Sequence, residues 1–308
     1  MKLEPTTTRR GPEVLIARGG RKVNSDEQGG APRCIKLVHV SDTHNRFYDI
    51  PAGDILVHSG DFTDHGVEGE HGDRRGGNTT SGSPPPNMSE IGPFLEWWDS
   101  MDRQFRYKVL VPGNHEYGLD KLSREERNAL LHCDGVRSFC LVDEGATVMG
   151  LRFYGSPWTN CCMAWHATLD ERTEILSSVP GRQPLKKKTA ASASTPEAVD
   201  VLVTHAPPYR IMDANFGCKA LARAVAERVQ PSLHCFGHVH AGNGIRVPIM
   251  RPNRGTSLVA YPPTTSGTKT EEDNEETPSG FVISEGTVYS NAALDDHCVV
   301  NVFALHLQ

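Results

Sequence analysis

Residues 35–44 read IKLVHVSDTH, a short aliphatic run that passes straight into Ser41-Asp42-Thr43-His44. The same construction returns four times along the chain. DILVH (54–58) leads into Ser59-Gly60-Asp61-Phe62-Thr63-Asp64, and KVLV (108–111) into Pro112-Gly113-Asn114-His115-Glu116. DVLVT (200–204) ends at His205, and LHCF (233–236) at Gly237-His238-Val239-His240. Runs this short and this continuously apolar indicate strands covered on both faces. Loops at the C-terminal ends of such strands converge above the sheet edge, where α/β sheets carry their ligand chemistry.

Outward from these strands the pattern changes. Residues 146–154 and 281–305 alternate more and are expected as antiparallel strands. Phe94, Trp97, Trp98, Met101 and Phe105 fall near one face of a helix over Ile91–Gln104, where the two tryptophans serve core packing. Leu221, Val225 and Val229 recur every fourth residue in a helix over Cys218–Val229, with Pro231 just beyond its end. Four stretches are too rich in Gly, Pro, Ser and charge to bury the apolar area that offsets ordering entropy. The expected organisation is therefore a disordered tail at 1–33 and one domain over 34–308, with low-complexity insertions at about 66–89, 180–198 and 262–280.

Composition narrows the function classes. The 308 residues are 37% hydrophobic with a formal net charge of −6, and the polar stretches do not account for that acidity. A large nucleic-acid footprint would carry the opposite sign, so nucleic acid is not an expected partner. The run Lys186-Lys187-Lys188 reads as part of a solvated linker. No stretch of about 18 apolar residues exists, so no membrane partner is expected. The only apolar run near the start, Val14-Leu15-Ile16-Ala17, is too short for a secretory signal. The eight cysteines show no CxxC pair, which fits reduced thiols and a cytoplasmic location.

The residues closing the five strands make a metal site the economical explanation. Asp42, His44, Asp61, Asn114, His205, His238 and His240 supply oxygen and imidazole donors without a thiolate. Seven donors exceed one ion's ordinary coordination but suit two ions sharing a carboxylate. Mixed N/O sets favour Mn, Fe, Zn, Co or Ni over Mg or Ca. Glycines 60, 113 and 237 are expected to turn the chain so that the next side chain enters the site. His39 and His58, inside strands, read as structural or as groups orienting a ligand. Arg46, Asp64 and Glu116 are the candidate substrate contacts, with His65 a solvated neighbour.

The ordered set D-x-H (42–44), GD (60–61), GNHE (113–116), TH (204–205) and GHVH (237–240) resembles the calcineurin-like metallophosphoesterase superfamily. GDILVHSGDFTDHG (53–66), YGSPW (154–158), VTHAPP (203–208), RVQPSLHCFGHVHAGNG (228–244) and SNAAL (290–294) place it nearest the small metallophosphoesterase domain-containing subgroup. The resemblance implies a four-layer α/β/β/α sandwich of the calcineurin-like phosphoesterase type. It also implies two divalent transition-metal ions: one on Asp42, His44 and His240, the other on Asn114, His205 and His238, with Asp61 bridging. His115 takes the part of the catalytic histidine that is not a ligand. The implied activity is hydrolysis of a small phosphate ester by a metal-bridging hydroxide, with a phosphodiester such as a cyclic nucleotide the first expectation. A phosphomonoesterase, a phosphoprotein phosphatase or nuclease using the same centre, and a catalytically weak binding module are the alternatives.

Overall fold

The computed structural model describes residues 6–7, 9–17, 33–64, 88–161, 163–182, 198–251, 255–261, 281–283, 286–294 and 299–307. In chain order its main strands begin with β1 (Arg9–Ala17), β2 (Arg33–Val40), β3 (Ile55–His58), β4 (Tyr107–Leu110) and β5 (Ser138–Cys140). They continue with β6 (Glu144–Val148), β7 (Leu151–Ser156), β8 (Val201–Thr204), β9 (Leu233–Phe236), β10 (Gly244–Arg251) and β11 (Gly255–Tyr261). The last three are β12 (Phe281–Ile283), β13 (Val288–Asn291) and β14 (Val299–Leu307). One seven-stranded sheet has the order β12-β1-β14-β2-β3-β4-β5, and the second the order β11-β10-β13-β9-β8-β7-β6.

Side-chain alternation explains why the central strands read as unbroken apolar runs. Leu37, Val57 and Val109 of the first sheet face Val203, Cys235 and Val288 of the second in a shared core. On its other face the first sheet lays Val38, Leu56 and Leu110 against Ile91, Phe94 and Trp98 of helix α1 (Met88–Ser100). The second sheet turns Tyr154 and Leu202 towards Leu176 of α3 (Leu169–Ser178) and Leu221 of α4 (Lys219–Ala224). Each such side chain contributes about 1.5–3 kcal/mol of burial free energy, so both pleat faces favour apolar residues.

Register then delivers the site. Val40, His58 and Leu110 lie opposite one another in parallel strands, as do Val203, Cys235 and Ser290. Asp42, Gly60 and Pro112 therefore leave the first sheet together, and His205, Gly237 and Ala292 leave the second. The bridge between Ser41 and Ala293 joins the two edges.

Several expectations need correction. The tail at 1–33 contains β1, an internal strand whose Val14 and Ile16 are buried in the shared core. Four apolar residues suffice for an interior strand when neighbours on both sides supply hydrogen bonds, and averaging over 33 residues hid them. Pro12 is accommodated because the register against β14 slips between Val300 and Val302. β13 runs parallel to β9 rather than antiparallel to its neighbours throughout. The helix expected over Cys218–Val229 is α4 followed by a wider turn at Val225–Val229, ending at Gln230 with φ 46°. Nearly all of the three insertions, and His65, lie outside the described residues; α1 starts at Met88, inside the range assigned to the first of them. None of the six described cysteines is in a disulfide. Among the described residues no helix is long and apolar enough to cross a membrane.

Candidate metal centre

Four of the seven expected donors sit in left-handed backbone conformations: Asp42 (φ 54°), His44 (φ 43°), Asp61 (φ 54°) and His238 (φ 68°). Such conformations are uncommon for residues with a Cβ, and persist where surrounding structure over-determines them. The ligand residues themselves make the turns expected of the glycines. Of the three glycines only Gly60, at φ 106°, takes a left-handed conformation. Gly113 is needed for room instead: a Cβ there would stand 2.7 Å from His205 Cε1 and inside contact distance of the Asp61 carboxylate.

Two donor pockets result, and a third group links them. Asp42, His44 and His240 offer ligand atoms within 4.8 Å of one another, as do Asp61, His205 and His238. His44, Asp61 and His115 form the overlapping group. Asp42 is fully buried, accepts hydrogen bonds from His238 N at 3.0 Å on both oxygens, and lies 3.3 Å from His240 Nε2. Asn114 joins the second pocket through Oδ1, 2.9 Å from His205 Nε2, while its amide donates to Met163 Sδ at 3.3 Å. Asp61 Oδ2 is 3.1 Å from the same Nε2, and Asp61 Oδ1 accepts from His115 N at 2.8 Å.

Hydrogen bonds to carbonyl oxygens settle which ring nitrogens face the pockets. A carbonyl can only accept, so His205 Nδ1 donates to Ser59 O at 2.8 Å and His44 Nδ1 to Thr63 O at 3.2 Å. In both residues Nε2 is left for a ligand, the arrangement by which outer partners orient metal-binding histidines. Burial alone would lower the His205 imidazole, but the Asp61 carboxylate outweighs it and pushes the pKa up to about 9. Asp61 and Asp42 are themselves held below the usual carboxylate range, against the cost of burial, by His205 and His240 respectively. His238 goes the other way, to about 4, through burial and the nearby His205. Two buried carboxylates among imidazoles and one amide oxygen, with ring tautomers already set, fit divalent transition metals. A cation among His205 Nε2, Asn114 Oδ1 and Asp61 Oδ2 would replace the proton shared there.

His115, like His240, reaches solvent. Its side chain is 30% accessible, Nδ1 donates to Asp64 O at 2.8 Å, and Nε2 is 4.0 Å from Asp61 Oδ2. Asp64 is exposed and places its carboxylate 3.2 Å from His44 Nδ1; Arg46 is exposed on the neighbouring turn. Glu116 is not a substrate contact. It is fully buried and accepts from the backbone N–H groups of Asp61 (2.9 Å), Thr63 (3.0 Å) and Gly113 (2.6 Å), tying the second and third loops together. Burial, then the Asp61 charge, raises its pKa to about 7.

The interior histidines hold the frame. His39 bridges Ser290 Oγ (2.7 Å) and Ser59 Oγ (2.9 Å) across the two sheets. His58 Nδ1 accepts from Gly60 N at 3.2 Å, so Nε2 donates to Thr43 Oγ1 at 3.1 Å. Thr63, Met163, Asn291 and Asn301 were not singled out from sequence. Thr63 and Asn291 lie within the quoted segments GDILVHSGDFTDHG and SNAAL; Met163 and Asn301 carried no such signal.

N/O donor pockets at the common edge of two stacked mixed sheets define a metallophosphoesterase architecture. Residues 35–242 match the family described as Calcineurin-like phosphoesterase, and the chain belongs to that family. Metallophosphoesterase domain-containing protein 1 of Homo sapiens is 32% identical over 240 residues, covering 70% of this chain and 63% of the relative. The Mus musculus protein of the same name matches equally. A UPF0046 protein of Caenorhabditis elegans is 30% identical over 241 residues, covering 73% of this chain and 69% of its own length. The chain thus spans less than two thirds of the mammalian relatives.

Proposed function

We propose that the protein is a dinuclear metal-dependent phosphoesterase acting on a small phosphodiester, with cyclic nucleotides the first class to test. The observation that carries this reading is the placement of Asp61, which belongs to the donor group of His205 and His238 and also to that of His44 and His115. A carboxylate so placed suits the bridge of a two-ion site. Bound divalent ions supply Lewis acidity, neutralising phosphate charge and making water nucleophilic near neutral pH.

The chain's own contribution follows from the ring tautomers. Asp42, His44 and His240 hold one ion; Asn114, His205 and His238 hold the other. His115 keeps a proton on Nδ1 through Asp64 O, so a proton given from Nε2 to a leaving alkoxide requires the imidazolium form. The Asp64 carbonyl orients that ring. Glu116 keeps the backbone of Asp61 and Gly113 in place.

The test is hydrolysis by metal-reconstituted protein of bis-p-nitrophenyl phosphate against p-nitrophenyl phosphate, followed by 2′,3′- and 3′,5′-cyclic nucleotides, with Mn added. Turnover favouring the diester is expected. Preference for the monoester would replace the diesterase reading with the monoesterase one, and no turnover by metal-loaded protein would end the hydrolase reading.

A further inference from the structure

Beside His238 and His240 the surface opens into a groove of about 630 Å³, further lined by Asn160, Cys161, Ala214, Phe216, Val239 and Ala241. No Lys or Arg is among these lining residues. These lining residues therefore carry no fixed cation for a second phosphate group or an acidic peptide. What it offers is the ring of Phe216, 64% exposed beside two of the metal-site histidines.

The loop that carries Phe216 is built to hold still. Its base is closed by Cys218 N donating to Pro207 O (2.9 Å) and Tyr209 N to Cys218 O (3.1 Å). Asp213, almost fully buried, accepts on its carboxylate from Arg210 N (2.8 Å) and Gly217 N (3.2 Å), and on its carbonyl from Phe216 N (2.6 Å). Arg210, Met212, Ala214 and Asn215 all take positive φ, at 65°, 49°, 40° and 72°. Asn291 Nδ2 donates both to Met212 O in this loop and to Val239 O between His238 and His240. One side chain thus ties the Phe216 loop to the ligand turn. Strained backbone kept in place at a functional edge points to pre-organisation, and a ring presented in advance loses little freedom when it binds.

We propose that Phe216 is a stacking platform for a flat aromatic ring on the organic group of the substrate, selecting aryl or nucleoside phosphates over alkyl ones. Offset stacking on the ring face supplies the attraction. The Asn160 amide, lining the same groove, offers both a donor and an acceptor to a heteroaromatic edge. This rests on the phosphoesterase reading only in taking the phosphate to sit at the metal centre.

Binding can be measured without turnover. Metal-loaded protein is titrated calorimetrically with phenylphosphonate and methylphosphonate, and with adenosine 5′-monophosphate and ribose 5-phosphate. Stacking of one ring predicts at least one pair in which the aromatic member binds tighter by on the order of tenfold. That ratio should fall towards one in Phe216→Ala and persist in Phe216→Trp. Preference in the phosphonate pair alone assigns the platform to aryl esters, and in the nucleotide pair to nucleobases. A wild-type ratio near one in both pairs, or a ratio unchanged in Phe216→Ala, overturns the proposal. If the ratio behaves as expected while no ester is hydrolysed, the hydrolase reading fails and the platform stands.

Discussion

His115 shares a donor group with His44 and Asp61, so proximity alone leaves it open as a ligand or as an acid. Its Nδ1 bond to the Asp64 carbonyl is of the kind that also orients His44 and His205, so the acid role rests on the family resemblance. His115→Ala should lower kcat by about 10²–10⁴ while metal stoichiometry, measured on the same preparation, stays near that of the wild type. Parallel loss of both would make it a ligand instead. Buried titratable groups give a second expectation. His39, His58 and His234 are pushed down to about 3, each first by burial, and His238 to about 4. A group whose folded pKa lies below its unfolded value contributes stability that is present above the unfolded pKa, 6.5, and is lost as pH falls towards the folded one. Glu116, raised to about 7, acts in the opposite sense between 4.5 and 7. Asp143, also raised by burial, acts in the same sense as Glu116, and four imidazoles against two carboxyls leave a net loss, each fully engaged group adding a slope of about 1.4 kcal/mol per pH unit. Urea unfolding of chelator-treated protein should show stability falling from pH 6.5 towards pH 4. A flat profile would contradict the neutral, buried state of these rings.

The elements that form the site were legible wherever burial is two-sided. β2, β3, β4, β8 and β9 are short and covered on both faces, so their apolar runs and the polar residues that end them stand out. α2 (Arg124–Leu130) and α3 went unread although each opens on a capping box, Ser123 with Glu126 and Thr168 with Glu171. That spacing is a usable signal. β10 and β11 lacked one, because a hairpin at a sheet edge is specified by its partner as much as by its own residues. Asn291 belongs to this scale. At the end of β13 it joins the Phe216 loop to the turn bearing His238 and His240, and its Oδ1 accepts from Ala293 N at 3.1 Å. Asn291→Ala removes the donor to Met212 O and the acceptor of Ala293 N, while Val239 O keeps Gly242 N, at about 1–3 kcal/mol. It should also weaken metal binding, read as a lower melting temperature and a raised metal dissociation constant. Lower stability with unchanged metal affinity would confine Asn291 to a structural role.

At the scale of the molecule, the donors come from both sheets: Asp42, His44, Asp61 and Asn114 from the first, His205, His238 and His240 from the second. Ions held there stitch the two edges, so binding stabilises the packed pair of sheets. Adding Mn to chelator-treated protein at about 100 times its dissociation constant should stabilise it by roughly 2.7 kcal/mol. That is a rise of about 5–10 °C in melting temperature, readable by scanning calorimetry; no shift would mean that the pockets do not bind it.

The five strands that carry the site and the identity of the donors follow from local residue pattern, because two-sided burial and a polar terminus mark each of these strands by itself. The sequence alone therefore determined which residues could chelate. Only the tertiary structure decided that Arg9–Ala17 is an interior strand, that Glu116 is a buried clamp and not a substrate contact, and that Phe216 stands exposed beside the metal-site histidines. Each depends on what lies across from the residue, and a partner from another element leaves no periodicity in the segment that meets it.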